Sequence, residues 1–269
     1  MDCTNDYTAH YRWEWFRRAQ WRGSFRDRKR HSSGGFIELV RERGLSGEPV
    51  LDCSCGLGLK TIVMREAGLT VHGSDGCALA VEYARLLAGE EGYSDIPYYV
   101  SSWADLPRRT DTRYAAIFND ALSWIYSEKE MASSLKGLFD CLRPGGILAY
   151  MGALPDTETD QAVLLDEEWG KRMANGRHWL GFRAAEGKTS VQEVVFLEKG
   201  PDFIDEYHLY IVDANGTRRL DEWCLRCPVK WSWQKIQPFL SQAGFASFGT
   251  KEFIAANGRP FNLVLAERP

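Results

Sequence analysis

The sequence predicts an α/β fold: a doubly wound, mostly parallel seven-stranded sheet of Rossmann-like form, with an antiparallel strand insert late in the chain. Three observations carry that expectation. Short apolar runs alternate with helical patterns from about residue 49 to residue 150, as repeated βα units require. An apolar run breaks at Asp52-Cys53-Ser54-Cys55-Gly56-Leu57-Gly58 into a glycine turn that precedes a helical pattern. After about residue 155 the periodicity changes to strand-like runs separated by turn signals.

The elements follow in order. The N-terminal segment is aromatic and basic, and Ser32-Ser33-Gly34-Gly35 separates it from a helix over Phe36 to Arg43 that Gly44 stops. Pro49 opens the first strand. Helices are expected near Lys60 to Ala67, Ala78 to Ala88 and Met131 to Cys141, and strands at Thr70 to Gly73, near Tyr99 and at Tyr114 to Asp120. Pro144 and Gly145 end the last of these helices and open a strand toward Tyr150. Three further strands are expected near 191–198, 207–213 and 223–229, with Asp213-Ala214-Asn215-Gly216 as a turn. A helix from Trp231 and two strands near 246–254 and 261–267 close the sheet. The expected segments are 1–35, a helical stretch covering the cofactor site; 36–155, the α/β core; 156–230, a lid or oligomer contact; and 231–269, the end of the core.

Composition narrows the class. The chain of 269 residues is 44% hydrophobic and 26% charged, which suits a globular protein with a sizeable core. A net charge of −4 argues against a general polyanion binder. The basic stretch from Arg17 to Arg30 reads chiefly as a solvated helix face, so nucleic acid is not the expected partner. Seven scattered cysteines and the lack of a signal-like or membrane-spanning apolar run read as cytoplasmic. Cys224 and Cys227 form one CxxC, but a structural zinc site needs four ligands and no second matching pair exists, so no metal is expected.

The glycine turn is the chemical signal. Without a Cβ, Gly56 and Gly58 let the backbone take positive φ and let a ligand approach closely. Asp75, about 20 residues on at the end of the second strand, suits hydrogen bonding to ribose hydroxyls. Thr61 stands where a dinucleotide fingerprint would carry its third glycine, which disfavours a nicotinamide-dependent oxidoreductase.

Taken in order, Asp52 to Gly58, Asp75, Ser102-Trp103-Ala104-Asp105-Leu106, Tyr114 to Asp120 and Leu142-Arg143-Pro144-Gly145-Gly146 resemble the class I S-adenosylmethionine-dependent methyltransferases over roughly residues 30–150. The resemblance implies that Asp52, Cys53, Ser54, Cys55, Gly56 and Gly58 cradle the methionine part of S-adenosyl-L-methionine. Asp75 and Gly76 would hold the ribose, and Ser102, Trp103 and Ala104 would flank the adenine. Asn119 and Asp120 would close the pocket floor. Tyr11, Arg30, Trp103 and Asn119 make the chain look most like the glycine/sarcosine N-methyltransferase group, with Arg30 then pairing with the cofactor carboxylate through its forked guanidinium. Two departures change the expected acceptor: Met151-Gly152-Ala153 stands where that group grips an amino-acid carboxylate with arginine, and Trp124 replaces its histidine. Tyr11, Asn119 and Trp124 are the expected acceptor-side, catalytic residues. The implied reaction is in-line methyl transfer to a nitrogen of a small metabolite, an amine being favoured because an amine can attack without a general base. An O- or C-methyltransferase of a natural-product scaffold and a non-catalytic cofactor-binding subunit are the alternatives, and a homo-oligomer is one role for the insert.

Overall fold

The computed structural model describes residues 5–21, 24–151, 184–186, 189–200, 202–214, 217–254 and 260–269. These residues fall in two compact units: Met1–Gln20 with Leu154–Gln234, and Trp21–Ala153 with Lys235–Pro269.

The second unit is the α/β body. Its strands are β1 (Pro49–Asp52), β2 (Thr70–Asp75), β3 (Tyr98–Val100), β4 (Tyr114–Asn119), β5 (Leu142–Met151), β10 (Ser247–Ile254) and β11 (Pro260–Glu267), forming one sheet in the order β10-β11-β5-β4-β1-β2-β3. The five strands from β5 to β3 pair in parallel, whereas β11 runs antiparallel to both β5 and β10. The order runs outward from β1 in one direction through β2 and β3, and from β4 in the other through β5. The crevice between the carboxyl ends of β1 and β4 is therefore the topological switch point, where open α/β sheets bind ligands.

Helices α2 (Ser24–Glu42) and α3 (Leu59–Glu66) cover this sheet with a cluster that joins Phe36, Leu39 and Val40 to Val63, Met64, Val50 and Phe118. The rings of Phe36 and Phe118 meet edge to face at 5.3 Å. The sequence placed a break at Ser32-Ser33-Gly34-Gly35, but α2 runs through it. Each helical glycine costs about 1 kcal/mol against alanine, while burying a Phe, Leu or Val side chain contributes about 1.5–3 kcal/mol. Phe36, Leu39 and Val40, all nearly or completely buried, outweigh the two glycines. Gly44, at φ 68°, ends the helix as expected. Helix α4 (Ala78–Glu90) follows β2, and α5 (Glu128–Cys141) begins at Ser127, whose hydroxyl accepts the Glu130 amide at 3.1 Å. Helix α6 (Trp233–Ala243) leads into β10.

The first unit holds α1 (Tyr7–Trp21) and strands β6 (Ala184–Glu186), β7 (Thr189–Lys199), β8 (Phe203–Ala214) and β9 (Thr217–Pro228). The strands pair antiparallel in sequence order as a separate sheet, so the insert builds its own layer and does not extend the seven-stranded sheet. Trp13 of α1 stacks on Tyr210 at 3.9 Å and donates its indole N–H to Asp221 at 3.1 Å. Arg226 holds buried Asp205 through two bonds of 2.7 Å, the forked geometry that guanidinium and carboxylate share.

Candidate functional site

The glycine turn sits at the switch point. Gly56 and Gly58 have φ of 53° and 77°, in the region that favours glycine. A Cβ on Gly58 would lie 2.8 Å from the Tyr98 hydroxyl and 3.0 Å from the Ala84 Cβ, so this position tolerates no larger side chain without movement of β3 or α4. The loop is fixed to its neighbours by backbone bonds, the Cys53 amide donating to Phe118 O and the Cys55 amide to Ser74 O, both at 3.0 Å.

Four carboxylate and amide side chains shape the crevice. Asp52 is completely buried and accepts the Thr61 hydroxyl at 2.7 Å, so it ties β1 to α3 under the loop. Thr61 explains the missing third glycine: it supplies a donor for a carboxylate that would otherwise be buried at high cost. Asp75 is half-buried and accepts the Gly56 amide at 3.0 Å on one oxygen and the Cys77 amide at 2.9 Å on the other. One carboxylate thus fixes the glycine turn and the entrance to α4. Asn119, completely buried, donates to the Cys53 sulfur at 3.1 Å and accepts the Ala121 amide at 2.9 Å. Asp120, beyond β4, accepts the Ser54 hydroxyl at 2.8 Å and pairs with Lys60.

Trp103 forms the wall beyond β3. Its indole N–H donates to Cys53 O at 2.6 Å, and α5 approaches so closely that a Cβ on Gly137 would lie 2.2 Å from Trp103 O. Ser102 and Ala104 beside it are exposed, with the Ser102 hydroxyl donating to Asp105 at 2.9 Å. Gly76 is exposed beside Asp75. Trp124 ends a short 3-10 turn after β4 and is half-buried.

Burial pushes the Cys53 and Cys55 thiols well above their ordinary range, so both stay protonated and line the loop as small apolar groups. His72 lies within β2 between Tyr114 and Tyr99, its Nδ1 3.1 Å and 3.4 Å from their hydroxyls, and burial lowers its pKa. Among the described residues no group of three or more His, Cys, Asp or Glu side chains could hold a metal, and no helix is long and apolar enough to cross a membrane.

The structure thus brings Asp52 to Gly58, Asp75, Gly76, Trp103, Asn119 and Asp120 to one sheet edge. Tyr11 belongs to the first unit, in α1, half-buried and edge-on to His10 at 4.9 Å. The backbone of Arg30 lies in α2, and its side chain falls outside the described residues. Sequence reasoning missed Thr61 and Lys60. The first was visible as a polar residue at a glycine position; a lysine just after a glycine turn carried no signal of its burial.

Residues 50–146 match a family model described as a methyltransferase domain. A ubiquinone biosynthesis O-methyltransferase from Actinobacillus pleuropneumoniae is 28% identical over 148 residues, 53% of this chain and 62% of that protein. A protein of the same name from Shewanella is 30% identical over 107 residues, 40% of this chain and 44% of that protein. The matched region thus spans less than two thirds of these curated relatives. A solved sugar N-methyltransferase from Streptoalloteichus superposes with a TM-score of 0.69 at 14% identity, covering 100% of this chain and 95% of that one. A solved amino pentose methyltransferase from Micromonospora echinaspora does so with a TM-score of 0.63 at 13% identity, covering 93% and 96%. At such identity the likeness to these structures is one of fold.

Proposed function

We propose that this chain, whose residues 50–146 match a model of a methyltransferase domain, is an S-adenosylmethionine-dependent methyltransferase of class I that transfers a methyl group to a nitrogen of a small metabolite. The observation that carries this reading is Asp75, a half-buried carboxylate at the end of β2 that pins the glycine turn at the switch point. S-adenosylmethionine fits this donor and acceptor set: the Gly56–Gly58 turn leaves room for close approach, Asp75 would hold the ribose, and Trp103, held by its bond to Cys53 O, would flank the adenine. When bound, the cofactor supplies an activated methyl on a sulfonium.

The chain's own part is to bind, orient and exclude water. Asn119 acts through the turn it holds, setting where Asp120 and the Trp124 turn stand. Trp124 would offer an aromatic face to an acceptor that gains cationic character. The carboxylates at the sheet edge are each engaged: Asp52 by Thr61, Asp75 by two backbone amides, and Asp120 by Ser54 and Lys60. A hydroxyl acceptor would call on a general base, whereas a neutral amine attacks with its own lone pair. That difference supports nitrogen, as does the fold shared with a sugar N-methyltransferase and an amino pentose methyltransferase. The second reading, transfer to oxygen, is favoured by the two O-methyltransferase relatives. Turnover of S-adenosylmethionine against matched amino and hydroxyl sugars separates them: methyl product on the amine alone supports the proposal, and product on the hydroxyl alone overturns it.

A further inference from the structure

Lys60 is a buried ammonium that the reaction as described does not use. It stands in the first turn of α3, two residues beyond Gly58, with only 6% of its surface exposed. Its partner Asp120 is more open, the two side chains being 7% and 25% exposed. The carboxylate is shared: one oxygen pairs with Lys60, and the other accepts the Ser54 hydroxyl at 2.8 Å, while the Ser54 oxygen accepts the Asp120 amide at 3.1 Å. Phe118 packs against the ammonium, its ring centroid 5.4 Å from Nζ. These three residues therefore link the turn after β1, the start of α3 and the turn after β4 across the switch point.

Taking one ion out of water is costly unless its partner stays paired, so the pair behaves as a unit with its positive end hidden and its negative end the more exposed. We infer that the Lys60–Asp120 pair, with Ser54 holding its carboxylate, sets how the cofactor crevice ranks the positively charged sulfonium cofactor against the uncharged thioether left after methyl transfer. The inference rests on the cofactor reading above and goes beyond it by assigning these residues a role in product release. The two ligands share adenosine and the amino-acid end and differ by one methyl and one charge at sulfur. A positioning role that was only structural would weaken both together; a charge role moves them apart.

The direction follows from the pair. Asp120→Asn keeps the shape and an acceptor for Ser54 but removes one negative charge from the crevice, which penalises the sulfonium. Lys60→Met leaves the Asp120 charge unbalanced, which favours it. Ser54→Ala removes a neutral hydroxyl and serves as the charge-neutral control. At an effective dielectric of about 20, a unit charge within about 12 Å of another shifts a binding ratio by about tenfold or more.

The test is calorimetric titration of the full chain and the three variants with S-adenosylmethionine and with S-adenosylhomocysteine. The expected result is a ratio displaced by about tenfold against the sulfonium in Asp120→Asn, and unchanged in Ser54→Ala. Lys60→Met should move it the other way; should that variant fail to fold, the near-isosteric Asp120→Asn decides alone. Equal weakening of both ligands in Asp120→Asn overturns the inference while leaving the cofactor reading intact. Failure of the unaltered protein to bind either ligand overturns both.

Discussion

Replacing Asp75 with alanine removes the acceptor of two backbone amides and of any ribose hydroxyl at once. The Gly56 and Cys77 amides, bonded at 3.0 and 2.9 Å, then have only water to turn to in a half-buried site. A hydrogen bond to a charged group contributes about 1.5–3 kcal/mol, and water recovers much of it where the amides can be reached. A stability loss of about 1–2 kcal/mol is expected, or about 2–4 °C in Tm per kcal/mol for a chain of this size. The cofactor should lose more, because under the proposed ribose assignment it forfeits its bonds to the carboxylate and meets a turn no longer held in place. An affinity lower by about 1–3 kcal/mol corresponds to about 5- to 150-fold in Kd. Asp75→Asn, which keeps one acceptor oxygen, should fall between. Titration with S-adenosylhomocysteine reads the affinity, and thermal unfolding without ligand reads the stability. An unchanged Kd in Asp75→Ala would sink the ribose assignment even if Tm fell as expected.

Three more outcomes follow from the same geometry. Thr61→Val leaves buried Asp52 without its hydroxyl donor and should lower urea-unfolding stability by about 1–3 kcal/mol at constant m, whereas no change in midpoint would contradict a role for Thr61 under the loop. Gly58→Ala forces a side chain into φ 77° and against Tyr98 and Ala84; loss of S-adenosylhomocysteine binding with destabilisation is expected, and wild-type affinity would show the turn to be slack. Burial lowers the His72 pKa below the ordinary 6.5, so neutral His72 is preferred in the folded protein; its stabilising contribution is fully present above 6.5 and is lost as pH falls through the folded value. The urea midpoint should therefore drop less steeply below pH 6.5 in His72→Gln than in the unaltered protein, and parallel profiles would remove His72 from the acid sensitivity.

The parallel sheet was legible because βα alternation and the glycine turn are local signals. Asp75 was found by its spacing from Gly56, and its carboxylate does reach back to the Gly56 amide. The long α2 was not legible, because Gly34 and Gly35 read as a stop and only the packing of Phe36 and Leu39 against the sheet outweighs them. The late strands were found from their periodicity, but periodicity says nothing of which sheet a strand joins, so the separate layer of β6 to β9 came only from the structure. Asp52 illustrates the limit within the site. The motif places it at the end of β1, and only the structure shows that it faces Thr61 in the interior. Lys60 illustrates the same limit, since burial of a lysine depends on Asp120 some sixty residues away in sequence.

The most direct test of the central claim is to incubate the protein with methyl-labelled S-adenosylmethionine and an amino sugar, and to locate the label by NMR. Label on the amine nitrogen, formed together with S-adenosylhomocysteine, is the predicted result. Label on a hydroxyl oxygen would contradict the assignment of nitrogen, and binding of neither S-adenosylmethionine nor S-adenosylhomocysteine would contradict the account of the crevice itself.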